Sequence, residues 1–192
     1  MLERSAELRE VGAAVGLAAN ATRVLGHLGP GGDLARVATE PSRLIHRDRR
    51  DGRQVAISGD NRWYRERFGA PFYGLHRVAL QRLLAGAFGP EHLHLGCRVE
   101  ALEETGAGMW VRCASGTVFE AAVVIGADGV HSIVRQWVAR ERAAGTSAAG
   151  GDEPVYSGTS GFRGLVPAGR LPSLPDPGAL QFWMGPGVHL LH

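Results

Sequence analysis

A glycine-containing turn around Asp128 is the segment of this 192-residue chain whose residue types and spacing best indicate chemistry. The apolar run 121–125 is typical of a strand covered on both faces, and helical spacing resumes over 132–137. Gly126 and Gly129 permit backbone angles or close approaches that a side chain would block. N–H groups at the start of the new helix favour anionic ligand groups. The segment therefore predicts a nucleotide-binding turn, with an ordinary Asp-Gly turn as the alternative.

The carboxylate of Asp128 is the distinctive group of this turn. Because like charges repel, it is not suited to hold a phosphate itself. It is suited to accept hydrogen bonds from ribose hydroxyls, from backbone N–H groups or from Arg135. The sequence leaves these three roles open.

Arg77 is a second informative residue, because it opens the most periodic helix of the chain. That helix stops at the Gly-Pro pair 89–90. A cation is electrostatically unfavourable at a helix N-terminus, so Arg77 predicts an anionic partner, either a ligand or a nearby Asp or Glu. The apolar face of the helix consists of Leu80, Leu83, Leu84, Ala87 and Phe88.

Other reactive side chains form no recognisable constellation. His76, His92, His94 and His131 lack acidic or cysteine ligands at matching spacing, so no metal site is predicted. Cys97 and Cys113 are too few for a disulfide framework, and we expect them to pack as small apolar groups. No catalytic acid or base is assigned, because the chain shows neither a nucleophile triad nor a paired-carboxylate site.

The composition predicts a globular protein of the cytoplasm, with 44% hydrophobic and 21% charged residues. Its formal net charge of +2 is too small to indicate nucleic acid or a membrane surface as a partner. No apolar run approaches the roughly 20 residues that span a bilayer. Charged residues near the start argue against an export signal. The oligomeric state is not predictable from these features.

The remaining pattern predicts helices and short strands in an α/β arrangement. A helix is expected over 20–28, and a hairpin over 42–58 turns at Asp51-Gly52. A segment rich in Ala, Gly and Ser, 140–152, is interpreted as a linker. Further strands are expected over 93–95, 98–103, 110–113, 118–120, 162–166, 179–184 and 188–191.

This order of segments resembles the single-component FAD-dependent aromatic hydroxylases, of the p-hydroxybenzoate and salicylate hydroxylase type. Glu3-Arg4 resembles the end of the second Rossmann strand, where an acidic residue of the family binds ribose. Arg77 resembles the arginine at a helix start that reaches the cofactor. The stretch 126–135 is similar to the Asp-Gly fingerprint of the family.

The resemblance implies a set of cofactor-binding residues for FAD. Glu3 and Arg4 would lie at the ribose and adenine side, and Arg77 at the diphosphate. Asp128 with Gly129 would lie at the flavin and at the nicotinamide nucleotide. Because flavin carries the chemistry in such enzymes, the protein supplies binding and orientation.

The fold that the resemblance implies is α/β, or α+β overall. An incomplete Rossmann-like FAD-binding domain with a β-meander would comprise 1–41 and 73–150. The first strands of a mainly β substrate domain would comprise 42–72 and 151–192. The chain lacks the G-x-G-x-x-G turn and the later Gly-Asp motif of the family. We therefore expect an internal fragment that binds flavin weakly or not at all by itself.

The implied activity is an FAD-dependent, NAD(P)H-consuming monooxygenase. Such an enzyme hydroxylates a small aromatic or polyketide-like molecule through a flavin hydroperoxide. One alternative is a noncatalytic remnant or subunit that packs with another chain. A second alternative is a related flavin reductase or halogenase, since these share the Asp-Gly turn.

Overall fold

The computed structural model describes residues 1–8, 14–143 and 153–192, and these residues form two compact units. One unit comprises Met1–Arg9 with Glu91–Phe162, and the other comprises Glu10–Pro90 with Arg163–His192. The strands are β1 (Ala14–Leu17), β2 (Leu44–Asp48), β3 (Gln54–Ile57), β4 (Tyr73–His76), β5 (Val99–Thr105), β6 (Gly108–Cys113), β7 (Val118–Ala121), β8 (Leu180–Gly185) and β9 (Val188–Leu191). The helices are α1 (Ala19–His27), α2 (Gly31–Val37), α3 (Asn61–Phe68), α4 (Arg77–Phe88) and α5 (Ile133–Ala143).

The first unit is built on an antiparallel meander in the order β5-β6-β7. Its register pairs Leu102 with Val111 and Val111 with Phe119, so these alternating side chains share one face. Leu2 forms a parallel bridge to His94, and the Glu3 N–H donates to the His94 carbonyl at 2.9 Å. The start of the chain therefore forms one parallel bridge, and no strand is assigned to it.

The core of the second unit lies between a two-stranded ladder and three helices. Strand β1 pairs antiparallel with β4, and Val15 faces Leu75 across the ladder. Leu17, Leu34 and Tyr73 complete a buried cluster with Leu75, and Leu34 is only 1% exposed. Partly buried side chains of α1 and α4 cover this cluster. Tyr73 thus packs in the core, where its ring contributes a large apolar surface.

A four-stranded sheet in the order β3-β2-β8-β9 forms the rest of the second unit. Strands β2 and β8 run parallel, and Ile45 pairs with Gln181. The Arg47 Nε donates to Oε1 of the fully buried Gln181 at 2.6 Å, and its Nη2 lies 2.5 Å from an Asp176 carboxylate oxygen. The same guanidinium lies 5.6 Å from the ring centre of Trp183, within cation–π range.

Several sequence predictions are confirmed by these elements. The predicted helix over 20–28 is α1, and the periodic helix that Arg77 opens is α4, which ends before Gly89 at a φ of 95°. The hairpin is β2–β3, with Gly52 at a φ of 74° as its turn requires. The meander, β8 and β9 also match their predicted segments. Strands β1 and β4 and helices α2 and α3 were not predicted.

Three predicted strands are wrong. Strand β7 ends at Ala121, and no strand among the described residues pairs with 122–125. A strand forms only where a neighbouring strand offers hydrogen bonds, and none does so here. Val123 and Ile125 are therefore left 74% and 87% exposed. The segment 162–166 is irregular, with Phe162 98% exposed, and 93–95 contributes a single bridge.

The predicted linker over 140–152 is helical at its start, because α5 continues to Ala143. The rest of that prediction, 144–152, lies outside the described residues. The two compact units divide the chain at other positions than the predicted domains, and the assignment of 42–72 and 151–192 to a substrate domain stays a prediction. None of the described helices combines the length and apolar character needed to cross a membrane.

The first test concerns the core of the second unit. We expect Leu34→Ala to lower the free energy of unfolding by about 2–5 kcal/mol, because it leaves a cavity in a tightly packed cluster. Val37→Ala on the same helix is the matched control, since Val37 is 48% exposed and should change stability by about 0.5 kcal/mol or less. Urea unfolding followed by circular dichroism measures both. Equal effects of the two substitutions would contradict this core assignment.

Candidate functional site

The Asp128 turn is held together by hydrogen bonds that its own carboxylate accepts. The Ser132 hydroxyl donates to Asp128 Oδ1 at 2.5 Å. The N–H groups of Ile133 and Val134 donate to Oδ2 at 2.7 and 3.2 Å. The Arg135 N–H donates to the Ser132 hydroxyl at 3.0 Å. Ser132 is therefore the N-cap of α5, and Asp128 accepts the N–H groups of the first two helical residues, which is the backbone-accepting role among those the sequence left open.

This capping occupies the backbone donors that the sequence predicted to be available to an anionic ligand. The first N–H groups of α5 point at Asp128 and Ser132, so a phosphate would have to displace a charged, hydrogen-bonded carboxylate. Partial desolvation favours the neutral carboxyl, but the hydrogen bonds from Ser132, Val134 and Ile133 outweigh it. They hold the pKa of Asp128 below its ordinary value. At neutral pH the Asp128 side chain is therefore ionised, and its carboxylate accepts hydrogen bonds from within the turn and the start of α5.

The two glycines of the turn have different physical roles. A Cβ at Gly126 would lie 2.6 Å from Cβ of Val134, so a glycine is needed for the chain to approach α5 closely. Gly129 has a φ of 82°, the left-handed region that favours glycine, with open space around its Cα. The close approach at Gly126 and the left-handed backbone at Gly129 are the two roles that the sequence predicts for these glycines. The backbone of Gly129 is accessible to a ligand.

Glu3 and Arg4 lie at the end of the short parallel pairing with 94–97. One carboxylate oxygen of Glu3 accepts the Ser5 N–H at 2.8 Å, and the other has no partner among the described residues. Arg4 is exposed and forms no ion pair within the described ranges. A carboxylate with one uncommitted oxygen beside an unpaired cation fits the hydroxyls and base of a nucleotide.

Arg77 is the first residue of α4 and follows strand β4 directly. The helix is capped by the preceding residue, because the His76 Nδ1 accepts the Val78 N–H at 3.3 Å. Arg77 is exposed and has no hydrogen bond or ion pair in the part of the chain that the structure describes. The sequence predicts either an anionic ligand or a nearby Asp or Glu as the partner of Arg77. No Asp or Glu partner is observed among the described residues. An unpaired guanidinium fits a diphosphate or carboxylate ligand.

The five residues predicted to bind the cofactor are divided between the two compact units. Glu3, Arg4, Asp128 and Gly129 belong to the first unit, and Arg77 belongs to the second. Within the first unit, no hydrogen bond or ion pair among the described residues joins Glu3 or Arg4 to the Asp128 turn. Sequence proximity brings together Glu3 with Arg4 and Asp128 with Gly129, and the cofactor roles of all five stay predictions. Among the described side chains, no three His, Cys, Asp or Glu groups form a possible metal site.

A cavity in the second unit was not predicted from the sequence. Its volume is about 280 Å³, and aromatic side chains of α3 together with Phe72 lie around it. Tyr64 contacts Phe68 and Phe72 at ring-centre distances of 4.6 and 6.0 Å, and Trp63 contacts Phe68 at 6.1 Å. The spacing of Tyr64 and Phe68 by four residues was the available signal, but α3 is too polar and short for its periodicity to stand out.

The structure resembles solved flavin-dependent monooxygenases. HpxO of Klebsiella pneumoniae, complexed with FAD and uric acid, is 29% identical in sequence and matches with a TM-score of 0.63. The match covers 71% of this chain and 34% of HpxO. The chain thus has part of the α/β fold of flavin monooxygenases, which confirms the predicted fold class.

Sequence relatives define the family more closely. A 3-amino-4-hydroxybenzoate 2-monooxygenase of Streptomyces platensis is 37% identical over 188 residues, which are 98% of this chain and 45% of the relative. A 3-hydroxybenzoate 6-hydroxylase of Polaromonas naphthalenivorans is 29% identical over 100% of this chain and 46% of the relative. No model of a known protein family matches the sequence. Over essentially its whole length the chain is homologous to FAD-dependent aromatic hydroxylases and monooxygenases, and it spans about half the length of these relatives.

A second test concerns the cap of α5. We expect Asp128→Asn to destabilise the first unit by about 1 kcal/mol at neutral pH, because its amide oxygen can still accept the backbone N–H groups but without the charge that strengthens these hydrogen bonds at a helix N-terminus. The folded-state pKa is lowered, so the carboxylate contributes stability above the unfolded pKa of about 3.9. That contribution is lost as the pH falls through the lower folded pKa.

The measurement is urea unfolding of the wild-type chain and Asp128→Asn between pH 7 and pH 3. The difference between them should shrink as the pH falls below about 4. Glu104→Gln is the control, since this exposed carboxylate of the same unit accepts no hydrogen bond from the described side chains. A difference that stays constant over this pH range would contradict the charged cap.

Proposed function

We propose that this chain is part of an FAD-dependent monooxygenase that hydroxylates a small aromatic molecule with NAD(P)H as the reductant. The observation that carries the proposal is the 37% identity to an aminohydroxybenzoate monooxygenase over 98% of the chain. Both free cysteines support a reducing, cytoplasmic location. FAD would supply the electron transfer and oxygen activation when bound.

The residues that we propose for FAD binding have distinct roles. Glu3 would accept hydrogen bonds from the adenosine ribose, through the oxygen that Ser5 leaves uncommitted, with Arg4 beside the adenine. The unpaired guanidinium of Arg77 would bind the diphosphate. These assignments are supported by the absence of protein partners for Arg4 and Arg77 among the described residues.

The Asp128 turn would hold its backbone in a fixed conformation for the cofactor, rather than bind a phosphate group. Asp128 fixes the turn through three hydrogen bonds, and Gly129 would then offer its backbone to the flavin or the nicotinamide nucleotide. Asp128 is therefore a positioning residue in this proposal, and Arg77 is the ligand-binding one. The proposal includes no acid or base step.

An FAD titration of the 192-residue chain, followed by flavin fluorescence, tests this proposal. We expect a dissociation constant in the micromolar range or weaker, and Arg77→Gln should weaken binding by about tenfold or more because it removes a charge-assisted contact. Arg98→Gln, at an exposed arginine of the first unit, should leave the affinity unchanged. Equal affinity of the wild-type chain and Arg77→Gln would contradict the diphosphate role.

The reaction class is tested by incubating the protein with FAD, NADH or NADPH, oxygen and 3-hydroxybenzoate. A hydroxylated product supports the monooxygenase. Consumption of the nicotinamide without a modified ring supports the reductase, and a halogenated product in the presence of halide supports the halogenase.

One observation favours a second candidate, a subunit that packs with another chain. Val123 and Ile125 are 74% and 87% exposed in a segment that no described strand pairs. An exposed apolar segment with unpaired backbone groups is a template for a strand of another chain. The candidate assigns this segment, 122–125, as an interface.

Sedimentation velocity over a range of concentrations tests this candidate. We expect concentration-dependent association of the wild-type chain, and its loss in Ile125→Arg, because a buried arginine would disrupt the strand contact. Val155→Arg is the matched control, since Val155 is 91% exposed in the same unit. Association that is absent from the wild-type chain, or unchanged in Ile125→Arg, would exclude this interface.

A further inference from the structure

The two cysteines of the chain lie at one end of the β5-β6-β7 meander, and the proposed cofactor site uses neither of them. Cys113 is the last residue of β6 and is only 2% exposed, whereas Cys97 precedes β5 and is half-buried. Both are free, and both belong to the first unit. Because a thiolate is a strong nucleophile, two neighbouring thiols can carry redox chemistry.

The register of the meander places both cysteine side chains on one face. Cys113 pairs with Val99, the first residue of β5. The Ala114 N–H donates to the Arg98 carbonyl at 2.8 Å, so the pairing continues beyond β5 towards Cys97. Because side chains alternate between faces along such a pairing, Cys97 lies on the same face as Val99. It is therefore the diagonal neighbour of Cys113.

The two thiol groups are also in contact. Burial raises the pKa of the Cys113 thiol, and the adjacent Cys97 thiol raises it further, both through its charge and through a hydrogen bond. A hydrogen bond between the thiols brings the sulfur atoms close together, as a disulfide requires if the backbone is to stay in place. Since Cys113 is buried and protonated at neutral pH, an oxidant in solution meets the half-buried Cys97 first.

Metal binding is a second use that paired cysteines often have. A zinc site needs at least three protein ligands, and the described part of the chain holds no cluster of three His, Cys, Asp or Glu groups. Within the described residues, Cys97 and Cys113 are therefore a pair without a third ligand. Covalent bonding between the two sulfur atoms is the chemistry that their placement favours.

We propose that Cys97 and Cys113 form a reversible intramolecular disulfide when the protein meets hydrogen peroxide. The Cys97 thiolate attacks one peroxide oxygen, so that an S–O bond forms, the O–O bond breaks and the departing hydroxide takes up a proton to become water. The Cys113 thiol then attacks the sulfur of this sulfenic acid. The S–S bond forms, the S–O bond breaks, and the Cys113 proton leaves in a second water. Two thiols are thereby oxidised while the peroxide is reduced to water, and a small dithiol reverses the result.

The disulfide would also fasten the start of the chain to the meander. The Cys97 N–H donates to the Glu3 carbonyl at 2.9 Å, and the Glu3 N–H donates to the His94 carbonyl at 2.9 Å. A covalent bond from Cys97 to β6 would therefore restrain the backbone that supports Glu3. Only the importance of this restraint for ribose binding rests on the proposed function.

Peroxide treatment of the folded 192-residue chain, followed by thiol counting in denaturant and mass spectrometry, tests the proposal. We expect a monomer that has lost both thiols and a mass equal to two hydrogen atoms, with full recovery in dithiothreitol. In Cys113→Ser, dimedone should label Cys97 at least about tenfold more than in the wild-type chain, because the sulfenic acid has no resolving thiol. In Cys97→Ser, the buried Cys113 should stay reduced.

A matched control keeps the number of thiols and separates them. The double variant Cys97→Ser with Glu104→Cys has its second thiol at an exposed position of β5, where residue 104 pairs with Met109. It should form no intramolecular disulfide while folded, and circular dichroism confirms the fold of each variant. A wild-type chain that keeps both thiols, that cross-links between molecules, or that behaves like this control would overturn the proposal.

Equilibration with reduced and oxidised glutathione tests whether the fold favours the disulfide. Its formation constant should be at least about tenfold larger in the folded chain than in the urea-unfolded chain, because the fold holds the two thiols together. Hydrogen exchange at the Glu3 and Cys97 amides should slow on oxidation, whereas exchange in the β1–β4 ladder of the second unit should not change. An equal or smaller formation constant in the folded chain would contradict the proposed geometry.

These results are separable from those of the FAD titration. A chain that forms the disulfide but does not bind FAD would retain the thiol pair and remove the support for a flavin role. A chain that binds FAD through Arg77 but forms no disulfide would retain the proposed function and refute the thiol pair.

Discussion

The parallel pairing of β2 with β8 is the contact on which the second unit depends. Arg47 and Gln181 are 134 residues apart in sequence, and their buried hydrogen bond joins the two strands at a fixed register. A one-residue slip would leave polar groups of both side chains unpaired in a region that excludes water, at a cost of about 1–3 kcal/mol for each. The same register places Leu44 opposite Leu180 and so forms the floor of the aromatic cavity.

The Asp128 turn shows how one carboxylate can determine the character of a helix end. A helix N-terminus is ordinarily an anion site, because its first N–H groups lack partners. Here Asp128 and Ser132 accept those groups, so the anion is part of the protein. The diphosphate role that we propose for Arg77 therefore does not depend on this helix end, and it rests on the exposed, unpaired guanidinium of Arg77 alone.

Short sequence patterns predicted those helices and strands that are specified by residues close together in the sequence. Helix α4 was predictable because its apolar spacing and its Gly89 stop lie within one short segment, and the β2–β3 hairpin because Asp51-Gly52 specifies its turn. The strand predicted over 121–125 failed because an apolar run specifies burial but not the neighbour that must provide it. The cavity could not be predicted, since its floor depends on the distant pairing of β8.

The junction between β4 and α4 has no loop, because His76 ends the strand and Arg77 begins the helix. The place of the guanidinium is therefore tied to the packing of Tyr73 and Leu75 in the core. Loops commonly tolerate insertions and deletions, but this junction contains no loop residue that could be inserted or removed. A change at this point would therefore have to be made by exchange of the side chain itself, on a backbone that holds its Cα in place.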